Sequence, residues 1–72
     1  KVERLELGFK TPIPAMTLRK ALIETGSNIV SGPDENGSYI VELVVPNETS
    51  SDIFLNRLQQ IDGVEYADFT NR

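Results

Sequence analysis

The apolar residues of this chain fall into six stretches of strand or helix spacing, and proline or glycine marks every boundary between them. Residues 2–9, VERLELGF, set Leu5, Leu7 and Phe9 against Arg4, Glu6 and Gly8, the two-residue period of a half-buried strand. "KTPIP" halts it, since Pro12 and Pro14 cannot donate to a ladder, whereas Pro14 suits the opening turn of a helix. A helix is predicted over about 14–25, with Ala15, Leu18, Leu22 and Thr25 at spacings of three and four and Ala21 beside them. Gly26 ends it, where a left-handed residue caps a helix at little steric cost.

The second half repeats the alternation. Residues 27–33 predict a short strand centred on Ile29 and Val30, and Asn36-Gly37 predicts a tight hairpin, because both residues tolerate positive φ. A third strand follows over 38–46, closed by Pro46. Thr49, Ser50 and Ser51 offer N-cap oxygens, and Asp52 lies near the positive end of the helix dipole. The second helix is predicted over 51–62, with Phe54, Leu58 and Ile61 as its apolar stripe, joined by Ile53 or Leu55, and Gly63 as its terminator. Residues 64–69, VEYADF, form the last strand.

Strand, helix, strand, strand, helix, strand is the order of two split βαβ units, 2–30 and 38–69. It predicts a single ferredoxin-like α+β domain: a four-stranded antiparallel sheet, first and third strands central, with right-handed crossovers placing both helices on one face. A chain of 72 residues buries only about 60% of its unfolded surface, and without cysteine or histidine it has no disulfide and no Cys/His zinc site to staple it. Packing between elements must supply the stability.

The same absences remove the usual general base near neutral pH and the usual thiol nucleophile, so we expect neither enzyme activity nor a cofactor. A net charge of −4, with seven basic residues of which only Arg19 and Lys20 adjoin, argues against a nucleic-acid partner. No apolar run reaches the ~18 residues of a membrane span and no signal peptide stands at the start. Because it opens on Lys1 rather than methionine, the sequence reads as a soluble piece of a longer protein. Asp34, Glu35 and Asn36 lack the ligand spacing of a calcium loop and read as a solvated turn. Strand alternation also sends Glu65 to the face opposite Asp68, so no paired-carboxylate site is expected there.

Alternation assigns Leu5, Leu7, Phe9, Tyr39, Val41, Leu43, Val45, Val64 and Tyr66 to the helix side of the sheet. The opposite set is Arg4, Glu6 and Gly8, then Ile40, Glu42 and Val44, then Glu65, Ala67 and Phe69. In it Ile40 and Val44 are flanked by Ala67 and Phe69 and rimmed by Arg4, Glu6, Glu42 and Glu65, the composition of a surface that docks a protein partner. The plainer reading is that β-branched residues simply form good strands.

With these elements placed, "LRKALIETGSNIVSGPDENGSYIVELVVP" and "FLNRLQQIDGVEYAD" resemble ferredoxin-like modules in the extracytoplasmic parts of bacterial transmembrane anti-sigma factors and related membrane regulators. More loosely, they are similar to the propeptide domains of subtilisin-like proteases. The resemblance covers about 9–68 and rests on Gly26, Ile29, Val30, Gly32, Pro33, Gly37, Tyr39, Gly63, Val64 and Tyr66. The first likeness implies a non-catalytic regulatory module at the periplasmic or cell-surface side of a membrane-anchored parent. The second implies a chaperone or inhibitor whose sheet face packs on a protease and whose segment after the last strand enters the active-site cleft. Amino-acid-binding ACT domains share the strand-helix order and bind ligand near the first loop, although "KTPIPA" is not glycine-rich. An acylphosphatase-like enzyme would need an arginine cradle and an asparagine which that loop does not supply. Pairing between chains along the edge strand 28–31 is a further expectation.

Overall fold

The computed structural model describes residues 1–10 and 15–70. Its elements are β1 (Val2–Phe9), α1 (Ala15–Thr25), β2 (Asn28–Ser31), β3 (Tyr39–Val44), α2 (Ser51–Gln59) and β4 (Val64–Phe69). The strands form one antiparallel sheet in the order β2-β3-β1-β4, which is the expected ferredoxin-like α+β arrangement with β1 and β3 central. Residues 11–14, with Pro14 as helix opener and most of the KTPIPA loop, lie outside the described residues.

The β1–β3 register pairs Leu5 with Val41, Leu7 with Tyr39 and Glu3 with Leu43. Residues directly opposed in an antiparallel pair share a face, so these positions turn one side of both central strands toward the helices. Leu5, Leu7, Val41, Leu43 and Val45 are buried there with Ala21 of α1 and Leu58 of α2, while Leu18, Leu22, Phe54 and Leu55 pack around them. Phe9 and Tyr39 meet edge to face, ring centroids 5.8 Å apart. Each fully buried leucine contributes about 1.5–3 kcal/mol relative to an exposed one.

The two helices end differently. After α1, Gly26 at φ +66° sets the Ser27 amide on the Leu22 carbonyl at 3.0 Å, a Schellman closure, as expected of this glycine. α2 begins as predicted, with the Ser50 hydroxyl accepting the Asp52 amide at 3.3 Å, but it stops at Gln59 instead of 62. Its last turn tightens: the Gln60 amide reaches the Arg57 carbonyl at 3.3 Å and Ile61 reaches Leu58 at 3.2 Å. The helix therefore ends before Gly63, whose positive φ closes the next turn, Val64 N to Ile61 O, into β4.

The hairpin also differs from the two-residue turn expected at Asn36-Gly37. Only Gly37 takes positive φ, +80°, and the loop is closed a residue earlier, by the Asp34 amide on the Ser38 carbonyl at 2.9 Å. The Asp34 side chain holds this wider turn, accepting the amides of Asn36 and Ser38 at 2.9 Å each.

Both outer strands carry a register shift. In β2 Val30 is the extra residue between the Ile29–Val41 and Ser31–Ile40 pairs; in β4 it is Glu65, between Phe9–Val64 and Gly8–Tyr66. Such bulges blunt sheet edges against pairing with another chain. Ser51 carries the one local conflict: its hydroxyl is buried with no hydrogen-bond partner among the described residues. Ser51→Ala removes that group and favours the helix, and is expected to raise stability by about 1 kcal/mol in urea unfolding. A variant less stable than the parent would contradict the placement.

Candidate functional site

Among the described residues no helix covers the second face of the sheet, and the pairing register shows what stands on it. Val44 opposes Val2, Glu42 opposes Arg4, and Ile40 opposes Glu6 across β3 and β1. On the other side of β1, Asp68 opposes Glu6 and Tyr66 opposes Gly8. β2 adds Asn28 beside Glu42 and Ser31 beside Ile40. Val44 is 71% exposed and Val2 55%, so these two form an uncovered aliphatic pair at one end of the face, with Ile40 half-buried along β3.

Six of the eight residues expected on the docking face do not need moving: Arg4, Glu6, Ile40, Glu42 and Val44 lie on it, and Glu65 is exposed at the bulge. Ala67 and Phe69 are corrected. Ala67 is 2% exposed and opposes Leu7, and Phe69 opposes Leu5 and packs against the core. The cause is the extra residue Glu65, because one inserted residue reverses the side on which every later side chain emerges. The same reversal carries Tyr66 and Asp68, expected on the helix side, onto the open face. Two sequence signals mark it: apolar residues stand adjacent at 66 and 67 inside an alternating run, and a glycine, Gly8, sits mid-strand in β1.

Tyr66 and Gly8 depend on each other. A Cβ on Gly8 would lie 2.0 Å from Tyr66 Cε1, so the ring occupies the space that any other residue at position 8 would fill. Lying across β1, the ring brings its hydroxyl to Ser38 Oγ at 2.5 Å and to Glu6 Oε2 at 3.3 Å. Ser38 stands one residue before the Tyr39–Leu7 pair, two strands from Tyr66, or about 10 Å at ordinary strand spacing. The tyrosine thus ties β4 to β3 over the top of β1.

Charge is unevenly satisfied on this face. Arg4 Nε contacts Glu42 Oε2 at 3.1 Å, a half-exposed pair worth about 0.2–1 kcal/mol. Glu6 receives the neutral Tyr66 hydroxyl, and Asp68 directly across from it has no partner among the described residues. Two carboxylates in directly opposed positions repel.

Elsewhere, Met16 and Ile23 are exposed on the outer side of α1, beside Arg19, Lys20 and Glu24, along a shallow groove of about 380 Å³. A second groove, of about 330 Å³, runs between Lys20, Glu24, Arg57 and Asp62. Among the described residues no three acidic, histidine or cysteine side chains are grouped to hold a metal ion, and no helix is long and apolar enough to cross a membrane. No family model matches this chain, and neither a curated protein nor a solved structure matches it.

Two outcomes follow from this geometry. Gly8→Ala is expected to cost about 1–3 kcal/mol by displacing the Tyr66 ring, yet to be neutral or stabilising in a Tyr66→Thr background, where alanine improves on glycine in a strand. Equal costs in both backgrounds, measured by urea unfolding, would show that the ring does not rest on Gly8. Asp68→Asn is expected to stabilise the fold by about a few tenths of a kcal/mol by relieving the repulsion with Glu6. A loss of stability would mean that Asp68 has a favourable role in the folded chain.

Proposed function

We propose that this domain is a non-catalytic protein-interaction and regulatory module that docks a partner through the open face of its sheet. The observation that supports this reading is the double use of β3. Val41 and Leu43 fill the core from one side of the strand, while Ile40 and Val44 present aliphatic groups on the other, where none of the described helices covers them. A two-layer domain completes its core with one face of its sheet, so the second face needs no apolar residues for folding. The Val2–Val44 pair and Ile40, among the polar groups of Arg4, Glu6, Glu42 and Asn28, have the composition of an interface centre and rim. The resemblance of the sequence to extracytoplasmic modules of bacterial membrane regulators supports this reading and implies a position outside the cytoplasm.

The test uses the full-length protein in its source cells, with a photo-crosslinking residue at Val2. One discrete protein adduct is expected, and it should disappear when Ile40→Thr and Val44→Thr are combined. Threonine keeps the strand propensity, so the domain should stay folded with a loss of about 1 kcal/mol or less. An adduct of undiminished yield in that folded double variant would rule out docking through this face.

A further inference from the structure

The partner's chemistry is indicated by the row of side chains that crosses the open face at the level of Ile40. In that row Ile40, Glu6 and Asp68 stand side by side on β3, β1 and β4. The two carboxylates are directly opposed, an arrangement that weakens a sheet. Nothing among the described residues offsets it. Arg4 is held by Glu42 on the other side of β1, the Tyr66 hydroxyl that reaches Glu6 is uncharged, and Asp68 has no partner. The described residues therefore hold two like charges together beside an aliphatic surface with no cation among them set against the pair, and a cation brought by a partner would relieve it.

We propose that the open face takes a polypeptide segment that sets a lysine or arginine over Glu6 and Asp68 and aliphatic side chains over Ile40, Val44 and Val2. This rests on the docking reading above and adds the sign of the partner. Dimensions are compatible with one short segment. Ile40 and Val44 lie about 13 Å apart along β3, and the carboxylates lie about 5 and 10 Å to the side of Ile40. Basic and apolar residues must therefore be close neighbours in the partner. Complementary charge chiefly sets partner choice and orientation, while apolar contact supplies area. Another exposed apolar surface, Met16 and Ile23 on α1, has Arg19 and Lys20 against a single carboxylate, Glu24, and is the wrong sign for the same segment.

Titration of the isotope-labelled domain followed by NMR tests this with three short peptides: alternating leucine and lysine, leucine and serine, and leucine and glutamate. The leucine–lysine peptide is expected to shift Gly8, Ile40, Val44 and Asp68 and to leave Met16 and Ile23 unmoved. Its affinity should fall by about tenfold or more in the Glu6→Gln/Asp68→Asn variant, and similarly on raising salt from about 50 to about 500 mM. Because that variant relieves a repulsion, it should be at least as stable as the parent, which separates lost binding from lost folding. Equal binding of the leucine–serine peptide to the same residues would overturn the charge assignment and leave the docking face standing. Shifts confined to α1, or no shifts with any peptide, would overturn both.

Discussion

The pairing of β1 with β3 is the interaction on which the rest of this structure depends. Its register decides which side chains of the two central strands share the helix-covered face, and a slip of β1 by one residue against β3 would send Leu5 and Leu7 to water and Arg4 and Glu6 to the core. Fixing that register closes one side of the sheet with α1 and α2. It also determines the content of the other side. Arg4 with Glu42, Glu6 with Ile40 and Val2 with Val44 are neighbours on the open face because Leu5 with Val41 and Leu7 with Tyr39 are neighbours beneath it.

A short chain without cysteine has few ways to hold such a sheet together, and this one concentrates its apolar residues in one contiguous core. The strand β4 shows how local the adjustments are. The extra residue Glu65 lets Val64 close the core near Phe9 while Tyr66 lies over Gly8 on the outside, and Ala67 and Phe69 then return to the core opposite Leu7 and Leu5. One inserted residue thus allows a single strand to serve both faces.

Much of this was legible in the sequence, because proline and glycine separate six stretches, each with the apolar period of a strand or of a helix. Element order, the central strands and the core contributions of β1 and β3 follow from that pattern. What escaped were features set by tertiary contact. The end of α2 depends on how its last turn tightens, and the hairpin depends on the Asp34 carboxylate capturing two amides. The β4 reversal depends on a bulge opposite Gly8, and it exchanged Ala67 and Phe69 for Tyr66 and Asp68 on the candidate face. Adjacent apolar residues at 66 and 67 with a mid-strand glycine were its trace, but strict alternation gives them no weight.

The central claim is that the open face, free in the isolated domain, is covered when the protein is at work. Since these 72 residues contain no cysteine, a Val44→Cys substitution gives the domain a single thiol, on that face. The measurement is its thiol-labelling rate in the purified domain and in the full-length protein within its source cells, with Glu35→Cys in the hairpin as reference. The account predicts that labelling at position 44, relative to position 35, slows by about tenfold or more in the cell, as expected for a desolvated interface centre. An unchanged ratio would contradict it.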